Sequence, residues 1–377
     1  MLKLHVLQAE CGDCLILEYG TPSNPKYILI DGGPDTIYQK YLKSQLQEIN
    51  NTGGELETVI LSHVDNDHII GLIEMTTELR AQRDSNATET IKVKEIWFNS
   101  FTNTIGSGTN IESRIKNVLL KTAGTGMIPA NTEITLKGIS EGDHLRKDAI
   151  LLKIPINPEF PNKVITVDKA PNEIVLDNLT LRIVGPTQKN IDELRIKWLE
   201  WLDKYEENID TQDPLLVAMS DRSIPNLSSI MIYAEAEGKK LLLMGDGRGD
   251  HLLEGLDKTN LLDAKGTMQV DVLKVPHHGS DRNVSKKFFK NVVADKYIIS
   301  TNGKDDNPDL ATLIWIVEAA REQARQIQIL ATNKTESTEK LVKDYDPNEY
   351  GYEIVELNRS FNSLVLNLSP KVTIAHV

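Results

Sequence analysis

The sequence predicts an α/β protein in which two β-sheets lie between outer layers of helices. Two observations favour this class: short apolar segments of strand character occur in both halves of the 377-residue chain, and each half also has segments with helical spacing. No linker separates the halves, and no repeat of solenoid length is present. We therefore expect one domain over residues 1–377, with a helical insertion at 191–222 and a C-terminal excursion with closing strands at 332–377.

The elements follow from apolar alternation, glycine turns and helical spacing. In the first half, the patterns predict strands at 3–8, 15–19, 27–30, 58–61 and 93–98, a helix at 37–50, a loop, helix and strand within 102–136, and two short strands within 149–167. In the second half, they predict strands at 179–184, 228–233, 241–244, 270–275, 297–299, 352–357 and 363–368, and helices at 191–205, 285–291 and 310–326.

Composition limits the class of protein. Apolar residues make up 40% of the chain and charged residues 26%, which is typical of a globular protein. The formal net charge of −13 argues against a broad groove for duplex nucleic acid, although bound metals can still attract phosphate substrates locally. No apolar run reaches the length of a membrane span, no secretory signal is visible, and two cysteines exclude a disulfide framework. The predicted location is cytoplasmic, without a membrane partner.

The most informative segment is Ser-His-Val-Asp-Asn-Asp-His at 62–68, directly after a predicted buried strand. It places His63, Asp65, Asp67 and His68 within six positions. Neighbouring carboxylates repel each other, but a divalent cation among them is stabilising, because imidazole nitrogen and carboxylate oxygen are preferred ligands. The alternative is a solvated acidic turn in which Asp65 caps the following helix. The segment predicts a metal site at the carboxyl end of a strand.

Two later segments repeat the pattern of a buried strand followed by a possible ligand. Asp246 follows the apolar run 241–244, and His277 with His278 follows the run 270–275. A site for two metals needs about six or seven protein ligands, so later strand ends are expected to contribute. Asp246 could instead cap a glycine-rich turn, and the two histidines could be solvated.

Together these segments resemble a metallo-β-lactamase-fold hydrolase, and more narrowly the branch that includes the hydrolase domain of ComEC competence proteins. In that family the fold is an αββα four-layer sandwich, with the metals at the edge of the sheets. The resemblance covers about residues 1–330 and depends on five segments in order, which is more specific than any one of them. The segments are Leu-Ile-Asp-Gly-Gly at 29–33, the 62–68 motif, Asn-Leu-Ser-Ser at 226–229, Met-Gly-Asp at 244–246 and Lys-Val-Pro-His-His-Gly-Ser at 274–280.

The resemblance implies roles for individual residues. His63 and Asp65 would hold a first metal, Asp67 and His68 a second, and Asp246 would bridge both. His277 or His278 would complete the second site, with the other as a supporting group or a general acid. Asp31 resembles the acid that orients a ligand histidine.

The sequence departs from the family's pattern in two places. Asp65 stands where the common motif has histidine, which makes the first site richer in oxygen and favours Mn²⁺ or Mg²⁺ over Zn²⁺. The usual isolated histidine before the bridging acid has no clear counterpart; Asn226 lies nearest to it in the pattern and is expected to support the ligands, and His144 is the other candidate. We therefore expect one or two divalent ions, Zn²⁺ or Mn²⁺, with Mg²⁺ as a further option.

The ligand set predicts hydrolysis by a metal-bound hydroxide, because coordination lowers the pKa of bound water. A phosphodiesterase or nuclease-like enzyme is the first expectation, with Asp67 and His278 as catalytic residues. Ser280, Arg282 and Asn283 would contact a phosphate ester, either a small molecule or nucleic acid. The basic segment 274–290 would be a substrate-facing patch or a solvated helix face. The alternatives are a hydrolase of a small ester, thioester or lactone, and a binding or regulatory protein with weakened metals.

Overall fold

The computed structural model describes residues 1–105, 113–114, 130–208, 225–358 and 360–369. Among the helices in these ranges, none combines the length and apolar character that crossing a bilayer requires. The predicted element at 102–136 and the predicted insertion at 191–222 lie partly outside these ranges. The division of residues 1–377 into one domain with an insertion and a C-terminal excursion stays a prediction.

The first sheet contains six strands within the described residues. They are β1 Leu2–Leu7, β2 Leu15–Thr21, β3 Asn24–Ile30, β4 Leu56–Ile60, β5 Ile96–Trp97 and β14 Ser363–Asn367. Their order is β14-β1-β2-β3-β4-β5. The strands from β14 to β3 pair antiparallel, whereas β3, β4 and β5 are parallel. The carboxyl ends of β3 and β4 therefore lie at one edge of this sheet.

The second sheet contains eight strands in the same described ranges. They are β6 Ile174–Leu176, β7 Leu179–Gly185, β8 Met231–Ala236, β9 Lys239–Leu243, β10 Met268–Lys274, β11 Val292–Ile299, β12 Ile327–Ala331 and β13 Tyr352–Glu356. The order runs β13-β12-β11-β10-β9-β8-β7-β6. Strands β9 to β13 are parallel, so the carboxyl ends of β9, β10 and β11 meet at one edge.

Helices cover the outer face of each sheet. They are α1 Lys43–Asn51, α2 Asn66–Asp84, α3 Phe101–Ile105, α4 Ala130–Leu151, α5 Gln188–Asn208, α6 Gly249–Lys258, α7 Lys286–Asn291, α8 Leu310–Glu322, α9 Glu336–Asp344 and α10 Pro347–Tyr350. A π-helical segment, Tyr38–Leu42, precedes α1. Short 3₁₀ turns occur at Pro161–Lys163, Pro225–Ser228, Pro276–Gly279 and Lys304–Asp306.

Apolar side chains of the described residues form three clusters that correspond to three interfaces between layers. The central cluster joins the two sheets, for example through Leu17 of β2 and Leu241 of β9. A second cluster lies between the second sheet and its helices, and a third lies between the first sheet, α1, α2 and α4. This order of layers confirms the predicted αββα sandwich.

The predicted strands within 149–167 are wrong. Helix α4 continues to Leu151, and most of the apolar residues that follow are buried in loops, with an isolated bridge between Ile156 and Ile96 of β5 in place of a strand. Ile154 packs in the outer cluster of the first sheet, and Phe160 and Ile165 pack between the sheets. Short apolar runs indicate burial but do not by themselves distinguish a strand from a buried loop.

Strand β12 was also not predicted, because residues 327–331 lie between the predicted helix at 310–326 and the predicted excursion from 332 and were assigned to neither. Helix α8 ends at Glu322, and Ala324 adopts a left-handed backbone with φ of 54° that stops the helix. The stretch 332–350, predicted as a surface excursion, contains α9 and α10.

Candidate metal centre

The predicted metal ligands meet at the carboxyl ends of strands from both sheets. His63 comes shortly after β4, Asp246 after β9, and His277 after β10. Because β3 and β4 are parallel neighbours, as are β9, β10 and β11, these ends lie at one edge of each sheet. The sandwich places the two edges together, so residues from distant parts of the chain surround one point.

The 62–68 motif forms a buried turn between β4 and α2. Asp65 occupies the N-cap position of α2, yet its carboxylate accepts no hydrogen bond from the first turn of that helix, all of which is described. His63 is 2% exposed and His68 is fully buried. The alternative of a solvated acidic turn with Asp65 as its cap therefore does not fit the structure.

Asp246 lies at the centre of the cluster, and its two carboxylate oxygens face different pairs of histidines. Oδ2 lies 3.7 Å from His63 Nε2 and 3.6 Å from His277 Nε2. Oδ1 lies 3.3 Å from His68 Nε2 and 3.7 Å from His278 Nε2. Each oxygen therefore has two imidazole nitrogens on its side of the carboxylate.

Each side of Asp246 also has a second carboxylate. Asp65 Oδ2 lies 3.5 Å from His63 Nε2. Asp67 lies 3.9 Å from His68 Nε2 through Oδ1 and 3.1 Å from His278 Nε2 through Oδ2. One donor atom each from Asp67, His68, Asp246 and His278 lies within 4.8 Å of all the others, which is compact enough for a single ion.

Hydrogen bonds at Nδ1 orient three of the imidazoles. His68 Nδ1 donates to Asp31 Oδ2 at 2.8 Å, and His278 Nδ1 donates to the Ser300 carbonyl at 2.9 Å. Ser62 Oγ donates to the same Asp31 oxygen at 2.8 Å, so it accepts from His63 Nδ1 at 3.0 Å. With the proton on Nδ1, the lone pair on each Nε2 points to the centre, as a metal ligand requires.

The turn Pro276–Gly279 holds its two histidines in an unusual backbone conformation. His277 has φ of 49° and His278 has φ of 55°, both in the left-handed region that is unfavourable for residues with a Cβ. Such strain is concentrated at sites where it directs a side chain. Here it places consecutive rings at an interplanar angle of 76°, one facing each oxygen of Asp246.

The electrostatics of the cluster favour a bound cation. Burial alone would raise the pKa of the Asp246 carboxyl, but the four imidazoles around it hold that pKa well below its usual range. Burial would likewise lower the pKa of His68, but the carboxylates of Asp246, Asp31 and Asp67 raise it well above its usual range. Negative charge at this position therefore favours a cation, either a proton or a metal.

Hydrogen bonding tests whether a metal fits these residues. His63 Nε2, His68 Nε2 and Asp246 Oδ1 are buried and have no hydrogen-bond partner among the residues that the structure describes. Buried polar atoms are almost always satisfied, and these three point towards one another. Nitrogen lone pairs and carboxylate oxygens are acceptors only, so they do not satisfy each other, whereas a divalent cation satisfies all of them. The residues fit a metal.

The residues predicted to bind substrate or support the ligands differ in exposure and position. Ser280 and Asn283 are buried rather than open to a substrate, and Asn283 Nδ2 donates to the Asp246 carbonyl at 2.9 Å. The contact of Asn283 with a phosphate stays a prediction. Arg282 is exposed. Asn226 lies in the turn Pro225–Ser228, and its side chain is outside the described part of the structure.

His144, the other candidate for the missing histidine, is on α4. Its Nε2 lies 3.4 Å from Asp148 Oδ2, and the side chain is 48% exposed. It therefore faces an ion pair on the outer helices and not the oxygens of Asp246.

Three lysines of the basic segment 274–290 form ion pairs within the protein, whereas Arg282 is exposed. Lys286 pairs with Glu318 and Glu322 of α8, and Lys290 also pairs with Glu322. Lys274, at the end of β10, is buried and forms an ion pair with Asp13.

The Asp13–Lys274 pair was missed by sequence reasoning. Asp13 is 1% exposed, and its Oδ1 lies 3.6 Å from His278 Nδ1. A signal was present, since a lysine within a predicted buried strand requires a buried partner of opposite charge.

Comparison with known proteins agrees with this architecture. Residues 14–147 match the family model Lactamase_B, the metallo-beta-lactamase superfamily. No curated protein matches the sequence. Among solved structures, Zn²⁺-bound PqqB from Methylobacterium extorquens has 10% identity and a TM-score of 0.37, over 97% of this chain and 100% of that one. A diphosphatase of the PhnP family has 12% identity and a TM-score of 0.39, over 98% of each chain.

The two structural likenesses, both with TM-scores below 0.5, carry no statement about substrate or metal. The family match over residues 14–147 and the observed layers support the metallo-β-lactamase fold. The match and the histidine–aspartate cluster support the coarser expectation of a metal-dependent hydrolase. They do not separate the ComEC-like branch from the rest of the superfamily.

Proposed function

We propose that this chain is a metal-dependent hydrolase of phosphate diesters. The observation that carries the proposal is the central position of Asp246, whose two oxygens each face two imidazole nitrogens at 3.3–3.7 Å. A carboxylate in this environment is suited to bridge two divalent cations. Paired cations stabilise both the attacking and the leaving oxygen when a phosphate ester is cleaved.

The chain's residues would hold the metals and move one proton. Asp65, Asp67 and Asp246 supply oxygen donors, and His63 and His68 supply nitrogen. When bound, the metals activate water and polarise the bond under attack. Asp67 is 32% exposed at the mouth of the site, where its Oδ2 would accept the proton that the attacking water gives up. That oxygen lies 3.1 Å from His278 Nε2, on the same side of Asp246.

The donor set and the charges at the mouth support this choice of metal and substrate. When Asp246 itself is counted, each side of the centre has two carboxylates and two imidazoles, and this share of oxygen donors favours Mn²⁺ over Zn²⁺. Arg282 is exposed just after the two histidines, and Lys304 Nζ lies 3.9 Å from Cys11 Sγ on the loop that contains Asp13. We expect these two cations to contact phosphate oxygens. The net charge of −13 disfavours a long polyanion, so we expect small or short diesters.

The test is reconstitution of metal-stripped protein with Mn²⁺, Zn²⁺ or Mg²⁺, followed by turnover of bis-p-nitrophenyl phosphate. We expect Mn²⁺ to give the highest rate. Replacing His68 with asparagine should lower kcat by more than about 100-fold, because loss of a group that only orients a ligand already costs about 10–100-fold. His251→Asn makes the same change at a histidine of α6 outside the centre and should leave the rate unchanged.

The outcomes separate the proposal from its rivals. Metal uptake with hydrolysis of p-nitrophenyl acetate or a thioester, and none of the diester, would indicate a small-ester hydrolase instead. Absence of metal uptake would overturn both enzyme functions and leave a binding or regulatory protein. A short single-stranded oligonucleotide in the same assay tests whether nucleic acid is a substrate.

A further inference from the structure

We infer that the adjacent histidines of the Pro276–Gly279 turn serve different metals. His277 would complete a first site with His63, Asp65 and Asp246 Oδ2, and His278 would complete a second with Asp67, His68 and Asp246 Oδ1. The inference deepens the proposed function and rests on its metal centre. It assigns His277 to the ligand position for which the sequence has no isolated histidine.

The His277 ring faces Oδ2 of Asp246. Its Nε2 lies 3.6 Å from Asp246 Oδ2, almost the same distance as His63 Nε2 on the other side of that oxygen, at 3.7 Å. The Asp246 oxygen that faces His278 Nε2 is instead Oδ1, at 3.7 Å. The two histidines therefore face different oxygens of Asp246, as ligands of two different metals would.

Asn283 determines the tautomer of His277, that is, which ring nitrogen carries the proton. The Asn283 amide NH₂ donates to the Asp246 carbonyl at 2.9 Å, so its Oδ1 must be the atom that faces His277. That oxygen is an acceptor only, and it lies 2.7 Å from His277 Nδ1, which therefore carries the proton. The lone pair of His277 is left on Nε2, facing Asp246. A solvated histidine would not need this fixed tautomer.

The first site is more exposed to solvent than the second. The His277 side chain is 31% exposed and Asp65 is 21% exposed, whereas His278 is 4% exposed and His68 is fully buried. The donors of the second site lie within 4.8 Å of one another, and no such compact group forms around Oδ2 among the described residues. We therefore expect the second site to bind metal tightly and the first to bind it more weakly.

The test counts metals in two matched variants, His277→Gly and His278→Gly. Glycine adopts positive φ readily, so both changes remove an imidazole while relieving backbone strain, and folding should be preserved. Mn²⁺ stoichiometry would be measured by calorimetric titration and elemental analysis. Electron paramagnetic resonance would detect spin coupling between two Mn²⁺ ions that share a carboxylate. His251→Gly, on α6, would control for loss of a histidine elsewhere.

We expect two Mn²⁺ ions of unequal affinity in the unsubstituted protein, with a coupled signal. His277→Gly should bind one ion with the tight affinity unchanged and lose the coupled signal. His278→Gly should weaken the tight site by at least about tenfold. If His277→Gly keeps both ions and their coupling, or if the unsubstituted protein binds only one ion, the inference is wrong.

Because metal counting does not depend on turnover, failure of the inference is distinguishable from failure of the proposed function. Two coupled ions without diester hydrolysis would keep the assignment of His277 and overturn the phosphodiesterase. Diester hydrolysis with a single bound ion would keep the phosphodiesterase and overturn the assignment of His277 to a separate metal.

Discussion

Replacing Lys274 with methionine should destabilise the protein far more than loss of an ordinary surface lysine. The Lys274 side chain is 1% exposed at the end of β10, and its partner Asp13 is also 1% exposed. Methionine keeps most of the apolar stem and removes the ammonium. Asp13 would then be an unpaired carboxylate beside a cluster that already contains several acidic groups, 3.6 Å from His278 Nδ1 through Oδ1.

The magnitude follows from the burial of both partners. Removing one member of a buried ion pair typically costs about 3–5 kcal/mol, because the remaining charge is left without water or a counterion. An exposed pair is worth at most about 1 kcal/mol. Lys94, 46% exposed and paired with Glu57, therefore provides a matched control in Lys94→Met. The free energy of unfolding would be measured by urea denaturation in a chelator, so that metal binding does not contribute.

A double variant distinguishes charge from packing. In Asp13→Asn with Lys274→Met, no unpaired charge remains, so the double variant should be more stable than Lys274→Met alone, with a coupling energy of about 1–3 kcal/mol. The reasoning would be refuted if Lys274→Met lost no more stability than Lys94→Met. It would also be refuted if the losses in the double variant were additive.

Three further predictions concern the supports of the site and the fold. Gly71→Ala should lower stability by about 1–3 kcal/mol in urea denaturation, because a Cβ there would lie 1.9 Å from the Gly32 carbonyl oxygen that α2 packs against. Asp148→Ala should cost about 1.5–3 kcal/mol in the same assay, since this fully buried carboxylate accepts a 2.6 Å hydrogen bond from an arginine of α2. The hydrogen bond from His5 lowers the pKa of Glu18, so the stabilisation is present above the ordinary glutamate pKa and is lost as pH falls through the lowered value. Glu18→Gln should therefore flatten the decline in stability between about pH 5 and pH 3, as followed by urea midpoints.

The sequence predicted the parts of the site that depend on local pattern. A buried strand followed by a polar cluster needs only alternation and a few residues of spacing to be recognised, and it located His63, Asp65 and Asp67 at the end of β4, and Asp246 at the end of β9. Parallel pairing then brings such ends together without further information. The layered fold follows for the same reason, because each strand and helix shows its buried face in its own periodicity.

The parts that were missed depend on contacts between distant residues. The pairing of Asp13 with Lys274 joins the first loop to β10, and neither residue's neighbours indicate the other. The different directions of His277 and His278 depend on a left-handed backbone and on the amide of Asn283, which spacing does not reveal. The sequence predicts Asn283 as a substrate contact, because its position after the histidines is the same whether it contacts substrate or orients His277.

The buried ligand atoms of the centre also affect the stability of the fold. Without a bound cation, His63 Nε2, His68 Nε2 and Asp246 Oδ1 are buried acceptors that have no hydrogen-bond partner among the described residues. Each unpaired buried group costs free energy, so the metal-free fold has a local instability at the edge that joins its two sheets. A metal that binds only the folded chain would remove that cost and add stability that grows with the logarithm of its concentration. Because the ligands come from strand ends in both sheets, that gain would act on the packing of one sheet against the other. The same ion that supplies the chemistry would therefore also hold together the two halves of the sandwich.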